Sequence, residues 1–321
     1  MTAQAWTVGV DFGGTTVKVG LVNRRGRVVR TTVLTTRRVG TPTRFLAAVS
    51  REITALAHAV GIRPSQLCGV GIGAPGLIDV RRGIVHHLVN VRGWRQVPLA
   101  RDFWRRLRCA CVVDNDVNLV TLGEWSCGAG RGAHNLICLT LGTGLGGGLI
   151  IQDQLYRGAS GSAGEIGHMV IAPGGHRCTC GNRGCLEAQV SANLIVREAR
   201  VAIRRGAQIL RRLAQRSTGP LTPELVCRAA AQGDRAARQI WVRVGRWLGV
   251  GIANVVNLLN PDRVVIGGGV AKAWPLLSAS LRKTLRAQAM DVPLRSVRVV
   301  RGQLGDQAGI IGAAVLVWKE L

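Results

Sequence analysis

Acidic side chains are scarce in this chain. Its 321 residues contain 17 Asp and Glu against 43 Lys and Arg, which gives a formal net charge of +26. Such a charge would suit a polyanionic partner, but the arginines are spread along the whole chain and no basic tail stands apart. We therefore interpret the charge as a general arginine-rich composition and expect no nucleic-acid partner. Because acids are so few, those inside glycine-rich motifs are the first candidates for function.

Long apolar runs are absent as well. No stretch reaches the ~18–20 apolar residues that a membrane-spanning helix needs, so we expect no membrane association. The first residues lead directly into an apolar strand, without the basic segment and apolar core of a secretory signal. These features predict a cytoplasmic protein. In that compartment, nine cysteines indicate metal ligands or free thiols more than disulfides.

The fold class follows from what remains. Hydrophobic residues make up 47% of the chain and 43 glycines punctuate it, which is typical of an α/β protein. The length is enough for two domains, and no linker or low-complexity segment separates them. We predict a small α/β domain at residues 1–117, completed by a C-terminal helix at 305–321. A larger α/β domain at 118–304 would hold a cysteine-rich segment and the helices of a dimer.

Two glycine- and threonine-rich turns each lie between two predicted strands. The first is Asp11-Phe-Gly-Gly-Thr-Thr16 and the second is Gly142-Thr-Gly-Leu-Gly-Gly-Gly148. Backbone N–H groups and hydroxyls in such turns can bind phosphate, although the Walker A pattern is missing. Asp11 could hold Mg²⁺ through water, because hard cations prefer oxygen ligands. One such turn could be an ordinary hairpin, but two suggest a duplicated architecture with a phosphate loop from each half.

A polar triplet, Asp114-Asn115-Asp116, lies where a predicted strand ends and a helix begins. Ligands of α/β sheets bind at the carboxyl ends of strands. A carboxylate there can accept a proton from an alcohol nucleophile, the general-base role in phosphoryl transfer. Helix capping is the alternative, but three polar residues exceed what one cap needs. We predict Asp116, in preference to Asp114, as the base and Asn115 as a ligand of sugar hydroxyls.

The most specific pattern lies in the segment 164–187. Cys178, Cys180 and Cys185 follow one another closely, and His168 lies ten residues before the first of them. Three thiolates and one imidazole make a closed tetrahedral set, which suits structural zinc. His176 is a rival fourth ligand, disfavoured by crowding because it is two residues from the first cysteine. Three free thiols in a glycine-rich loop are the alternative.

Two glutamates lie on either side of the predicted zinc ligands: Glu165 precedes His168, and Glu187 follows Cys185. A metal that fixes the loop also fixes both carboxylates, and paired carboxylates are good acceptors for the vicinal hydroxyls of a sugar. We interpret the zinc as a scaffold and the glutamates as substrate ligands. The alternative for each glutamate is a solvated surface acid. A third glycine turn, Gly267 to Gly269, follows a predicted strand and could face an adenosine or be a plain strand-to-helix turn.

Together these motifs resemble the ROK family of sugar kinases and regulators. The resemblance covers nearly the full length, and the motifs lie in the family's order: DFGGTTVKVGLV, GIGAPG, the triplet DND, LGTGLGGGLI, GSAGEIGH, CTCGNRGCLE and NPDRVVIGGGV. It implies the actin-like ATPase fold of sugar kinases, Hsp70 and actin, with two α/β domains around a cleft. It also implies ATP-dependent phosphorylation of a hexose, with Mg²⁺ and structural Zn²⁺. Family members are usually homodimers or larger, so we expect a homodimer or homotetramer.

The resemblance also assigns roles to residues. Asp116 would deprotonate the sugar 6-hydroxyl, and His168 would bind both sugar and zinc, beside Cys178, Cys180 and Cys185. The sugar ligands would be Asn90, Asn115, Asp116, Glu165, His168 and Glu187. The nucleotide would be bound by Asp11, Gly13, Gly14, Thr15, Thr16, Lys18, Gly142, Thr143, Gly144, Gly268 and Gly269. The loop around Asn90, NVRGW, looks like the NLPGW loop of bacterial glucokinases, with Val91 and Arg92 departing from it.

Four functions therefore compete. The first is an ATP-dependent glucokinase, an ATP:hexose 6-phosphotransferase. The second is a kinase for N-acetylmannosamine, N-acetylglucosamine or another hexose. The third is a sugar-responsive regulator, although the first strand begins at the N-terminus and leaves no room for a helix-turn-helix domain. The fourth is a kinase that uses polyphosphate as donor, attracted by the arginines.

Overall fold

The computed structural model describes residues 5–88, 91 and 93–321. Its contacts group into two compact units. The first unit consists of Met1–Ala133, Gly148–Ala163 and Gln303–Leu321, and the second of His134–Gly147 and Gly164–Gly302. The domain limits predicted from the sequence, at residues 117 and 305, stay predictions. Across the described residues, we find no helix with the length and apolar character needed to cross a membrane.

A five-stranded sheet of order β3-β2-β1-β4-β8 organises the first unit. Its strands are β1 (Trp6–Phe12), β2 (Thr16–Asn23), β3 (Val28–Thr35), β4 (Gly69–Ala74) and β8 (Cys111–Asn115). A small antiparallel sheet adds β5 (Leu77–Asp79), β6 (Ile84–His87) and β7 (Arg95–Val97). The sequence predicts a loop over the last of these, because strands of three or four residues are too short to show an alternating pattern.

Helices cover this sheet. They are α1 (Thr36–Val39), α2 (Pro42–His58), α3 (Leu99–Leu107), α4 (Asp116–Cys127) and, at the C-terminus, α12 (Ala308–Glu320). Residues 308–317 of α12 are all buried, against β1, β4 and α4. Gly9 and Gly71 face the backbone of α12 so closely that a Cβ atom on either would overlap a carbonyl group. These glycines let the helix lie directly on strands β1 and β4.

The second unit is built on the parallel strands β9 (Leu136–Leu141), β12 (Arg263–Gly267) and β13 (Arg298–Arg301). In the order of this sheet, β13-β12-β9 is followed by β10 (Leu145–Ile151), which begins in this unit; β11 (Gln154–Tyr156) belongs to the first unit. Helices of this unit are α5 (Leu186–Val190), α6 (Ala192–Arg204), α7 (Gln208–Arg216), α8 (Pro223–Ala231), α9 (Arg235–Leu259), α10 (Trp274–Gln288) and α11 (Asp291–Ser296). Over residues 204–223 the sequence predicts an extension of the preceding helix and a loop, whereas the structure has a separate helix, α7.

Candidate active site

Three strands of the first unit bring the predicted acidic residues to one edge of the sheet. Strands β1, β4 and β8 run parallel, and their register aligns Asp11 with Gly73 and Gly73 with Asp114. The sequence predicts a strand over residues 109–113, whereas β8 is Cys111–Asn115, so Asn115 is its last residue. Because the carboxyl ends of parallel strands meet at the same edge, the turn after β1 and the triplet at the end of β8 lie at the same edge of the sheet.

Asp116 opens helix α4 directly after this edge. Asn115 is the N-cap, and its Oδ1 accepts hydrogen bonds from the N–H groups of Val117 (2.9 Å) and Asn118 (3.4 Å). Capping therefore involves Asn115 and leaves Asp116 as the first helical residue, where helix polarity favours a negative charge. One carboxylate oxygen of Asp116 accepts a hydrogen bond of 3.0 Å from Val117.

The environment of Asp116 suits a proton acceptor. Its pKa is raised from 3.8 to about 6, chiefly because burial disfavours the charged form and secondly because the Asp11 carboxylate repels it. A group with this pKa is ionised at neutral pH, yet it holds a proton more tightly than an exposed aspartate. A general base works best when its pKa lies near the operating pH.

The neighbouring acid Asp114 has a different environment. Its side chain is 1% exposed and its carboxylate is fully engaged. Oδ2 accepts a hydrogen bond of 2.8 Å from Nε of Arg157, while Oδ1 accepts from Asn118 Nδ2 (2.8 Å) and from the N–H of Asn115 (2.7 Å). A buried carboxylate that already accepts three charge-assisted or amide hydrogen bonds is poorly placed to accept a substrate proton, which agrees with the preference for Asp116.

One further acid, Asp306, lies beside Asp11 and is not among the residues predicted from the sequence. Lys18 Nζ lies 3.8 Å from the Asp11 carboxylate and 3.4 Å from that of Asp306, which precedes helix α12. Burial raises the pKa of Asp11, Lys18 opposes this effect, and Asp306 adds to it. The positive charge of Lys18 thus offsets the negative charges of two carboxylates. The sequence feature that could have pointed to Asp306 is the scarcity of acids in the chain, together with its neighbours, glycine on one side and glutamine on the other.

The first glycine turn is fixed by a hydrogen bond within the turn and by another from the first residue of α1. The N–H of Gly13 donates to the carbonyl of Thr16 (2.9 Å), and the hydroxyl of Thr36 donates to the carbonyl of Gly13 (2.8 Å). A Cβ atom on Gly14 would meet nothing within 4 Å. The exposed side of the turn, which also carries Thr15, is therefore open to a ligand such as phosphate.

The second unit brings two further glycine turns together. A cavity of about 330 Å³ is lined by Gly142, Gly144, Gly268 and Glu187, among others. Gly268 has a φ of +82°, and a Cβ atom there would overlap the backbone of Leu141. Only glycine suits that position. The exposed Thr143 lies in the same turn as Gly142, and Gly269 follows Gly268 with open space beside it.

The predicted zinc ligands of the second unit also meet. The ligand atoms of His168, Cys178, Cys180 and Cys185 all lie within 4.8 Å of one another. The sulfurs of Cys180 and Cys185 are 3.7 Å apart, and Cys178 Sγ is 3.6 Å from His168 Nδ1. Tetrahedral zinc with Zn–S near 2.3 Å and Zn–N near 2.0 Å requires about 3.8 Å between sulfurs and about 3.6 Å between sulfur and nitrogen. These residues therefore fit a tetrahedral metal ion.

Glycines shape the loop that carries these ligands. Gly181 and Gly184 have φ values of +98° and +79°. A Cβ atom on Gly184 would overlap the carbonyl of Ala172, whose N–H donates to the carbonyl of Gly184. This close approach of the two backbones folds the loop back on itself and brings the cysteines together. His176, the rival ligand, is outside the group of four.

The two flanking glutamates differ in how they are held. Glu165 is 69% exposed and lies 3.7 Å from Nε2 of His168. Glu187 is tied down at both oxygens: Oε2 accepts from the N–H of Leu145 (2.9 Å) and Oε1 from the hydroxyl of Thr179 (3.1 Å). Glu187 thus links the cysteine loop to the second glycine turn. The remaining predicted sugar ligand, Asn90, lies outside the described residues.

The chain is similar to known proteins over almost its whole length. It is 36% identical over 319 residues to a glucokinase of Halalkalibacterium halodurans, covering 99% of this chain and 96% of that one. Its structure is similar to a ROK family glucokinase of Streptomyces griseus in complex with glucose and AMPPNP, with a TM-score of 0.83, 34% identity and coverage of 98% and 100%. A ROK family transcriptional regulator, a homologue of the Escherichia coli MLC protein, is also similar, with a TM-score of 0.87 and 27% identity over 98% of this chain and 78% of that one.

These similarities confirm the fold predicted from the motifs, the actin-like ATPase fold. The sequence profile of the ROK family matches residues 7–320. The chain belongs to the ROK family.

Proposed function

We propose that this protein is a glucokinase, which transfers the γ-phosphoryl group of ATP to the 6-hydroxyl of glucose. The observation that carries the proposal is a partly buried acid, Asp116, with a pKa raised to about 6, at the sheet edge of a chain similar over its whole length to glucokinases. A regulator that only binds sugar has no need for a tuned proton acceptor at that edge.

Asp116 is the general base of the proposed reaction. Its carboxylate accepts the proton of the 6-hydroxyl while the hydroxyl oxygen forms a bond to the γ-phosphorus and the bond to the bridging oxygen of ADP breaks. Asn115 caps the helix, and the buried carboxylate of Asp114 already accepts three hydrogen bonds, which leaves this role to Asp116. Most of the remaining catalysis would come from positioning the two substrates.

The glycine turns are proposed to bind ATP. The first turn offers Gly13, Gly14, Thr15 and Thr16 to its phosphates, and the cavity of the second unit offers Gly142, Thr143, Gly144, Gly268 and Gly269. Asp11 would hold Mg²⁺ through water, with Lys18 and Asp306 beside it. The ion, when bound, would neutralise charge on the phosphates.

A small substitution tests the first turn. Gly14→Ala is expected to raise the KM for ATP by about tenfold or more with an unchanged melting temperature. The new methyl group has room in the free protein, since nothing lies within 4 Å, but it occupies space that a phosphate would use. Steady-state kinetics and a thermal melt measure the two effects. An unchanged KM for ATP would remove this turn from the nucleotide site.

Sugar binding is assigned to Asn115, Glu165, His168 and Glu187, together with Asp116 and the undescribed Asn90. Acidic acceptors and an imidazole are suited to sugar hydroxyls. Structural Zn²⁺ at His168, Cys178, Cys180 and Cys185 would hold the loop that carries the two glutamates. The distances in this cluster support the assignment, because they match tetrahedral zinc.

The sugar and the phosphoryl donor are tested in one experiment. ADP release is measured with ATP and Mg²⁺ over glucose, mannose, N-acetylglucosamine and N-acetylmannosamine, and sugar phosphate formation is measured with polyphosphate in place of ATP. We expect kcat/KM for glucose with ATP to exceed the other combinations. Preference for an N-acetyl sugar would favour the second kinase reading, and preference for polyphosphate would give the +26 charge a role. Binding without turnover would favour the regulator.

We also propose that the protein forms a homodimer or homotetramer. Leu258, Met290 and Val292 are 78%, 67% and 73% exposed. The side chain of Asn257 donates to the carbonyl of Gln288 (3.2 Å) and accepts from the N–H of Met290 (2.8 Å), which brings the end of α9 close to the segment before α11. Large apolar side chains exposed together indicate an interaction surface. Analytical ultracentrifugation is the measurement, and a monomer at micromolar concentration would contradict the proposal.

A further inference from the structure

Arg157 and Asp114 form an ion pair at the corner between β8 and α4, next to the proposed base Asp116. Arg157 follows strand β11 and its side chain is 24% exposed. Its Nε donates to Oδ2 of Asp114 at 2.8 Å, and its Nη2 donates to Glu320 of α12 at 3.2 Å. All three residues belong to the first unit. No motif of the sequence contains this pairing, because the partners are 43 and 163 residues apart.

The ion pair fixes the corner between β8 and α4. Asp114 is 1% exposed, and its other oxygen accepts from the N–H of Asn115 and from the side chain of Asn118, one turn into the helix. The Asp114 carboxylate therefore joins the last residue of the strand to the first turn of the helix. Asp116 lies between these two attachment points.

Arg157 is the cation that pairs with this carboxylate and orients it. Removing one partner of a buried pair leaves an uncompensated charge, which the surrounding groups must move to solvate. The groups able to move are those already bonded to Asp114, namely Asn115 and Asn118. A shift of the corner by ~1 Å is enough to cost about 10²-fold in rate when the displaced group must meet a reacting atom.

We propose that Arg157 is a positioning residue for catalysis, which acts through Asp114 to hold Asp116 at the place of proton transfer. The inference rests on the proposed function, because it assumes that Asp116 is the base. It assigns Arg157 no contact with glucose or ATP. Loss of Arg157 should therefore lower kcat and leave the affinities for both substrates nearly unchanged.

A cavity beside the ion pair makes a specific test available. About 840 Å³ of space is lined by Ile78, Val112, Leu155, Arg157, Ser160 and Glu320, among others. In Arg157→Ala, a free guanidinium ion can enter this space and bind the Asp114 carboxylate in place of the missing side chain. If guanidinium restores kcat, the variant has lost only the cation beside Asp114. A variant that is merely destabilised would not regain activity in this way.

The experiment compares four proteins once the wild type has shown glucose-dependent ADP release. We expect Arg157→Ala to lose about 10²-fold in kcat, with both KM values within about threefold of the wild type. Guanidinium chloride, well below denaturing concentrations, should restore at least tenfold of that loss, and the same concentration of sodium chloride should restore none. The double variant D114N/R157A should gain nothing from guanidinium. Arg101→Ala, which removes an exposed arginine paired with Asp102, is the control and should match the wild type.

Two results would overturn the inference: a kcat of Arg157→Ala close to the wild type, or a loss of kcat that guanidinium does not relieve in a folded variant. If the alanine variant does not fold, Arg157→Gln replaces it, since glutamine keeps a donor and much of the length. Its kcat must again fall at least tenfold with unchanged glucose affinity, and a smaller fall rejects the inference. An inactive wild type would instead reject the proposed function.

Discussion

Asp116→Asn is expected to abolish phosphorylation while glucose binding survives. The amide cannot accept the hydroxyl proton, and the loss of a positioned general base costs about 10²–10⁴-fold in kcat. The neighbouring Asp114 cannot replace it, since Arg157, Asn115 and Asn118 occupy its carboxylate. ADP release measures kcat and calorimetry measures glucose affinity. Turnover close to the wild-type rate would remove Asp116 as the base.

The raised pKa of Asp116 also predicts how the activity and the stability of the wild type depend on pH. The wild-type kcat/KM should rise with pH through about 6 and then level, because only the ionised carboxylate accepts a proton. The pKa of the folded state exceeds the unfolded value, so ionising Asp116 costs stability, and this cost grows as pH rises from about 4 to 6.

Asp116→Asn should therefore unfold at a higher temperature than the wild type at pH 7.5. The gain has an upper bound of about 3 kcal/mol, the free energy that corresponds to the pKa shift. At pH values below 4 the difference should disappear, because the wild-type carboxyl is then neutral as well. A variant that is less stable than the wild type at pH 7.5 would contradict the account of burial and repulsion by Asp11.

Cys180→Ser is expected to lose zinc and to weaken glucose binding. The remaining two thiolates and His168 leave the tetrahedral set incomplete. The loop then loses its fixed geometry, and with it the orientation of His168 and of Glu187, whose carboxylate accepts a hydrogen bond from Thr179 inside the loop. We expect an increase of about 10–100-fold in the dissociation constant for glucose, by analogy with the loss of metal affinity or activity when groups that orient metal ligands are removed.

Metal analysis of the purified protein and calorimetry with glucose measure these effects. Cys227→Ser is the matched control, because this half-buried thiol on α8 lies outside the group of four and should keep both zinc and glucose affinity. A metal-free Cys180→Ser protein that binds glucose normally would refute the scaffold role of the metal.

Much of the site can be predicted from the sequence because its parts are local. The three cysteines and His168 lie within 18 residues, and the structure brings their ligand atoms together. The glycine turns follow strands of β-branched and apolar residues, and Asn115 and Asp116 mark a strand end and a helix start. Local chemistry of this kind leaves few alternatives for the backbone.

The supporting residues could not be predicted, because their contacts depend on packing between distant parts of the chain. Asp306 reaches Lys18 across 288 residues of sequence, since α12 lies on the central sheet. Arg157 meets Asp114 across 43 residues of sequence, and nothing marks Arg157 among the many arginines. Strands β5 to β7 were also missed, because a pattern of alternating residues needs more than three or four positions.

The most direct test of the central claim is ³¹P NMR of the products formed from glucose, ATP and Mg²⁺. We expect the signal of glucose 6-phosphate to grow in equal amount to that of ADP, with no orthophosphate, and to grow at least about 100-fold more slowly with the Asp116→Asn variant. ADP formed together with orthophosphate, or no reaction with glucose by a folded, zinc-loaded protein, would contradict the account.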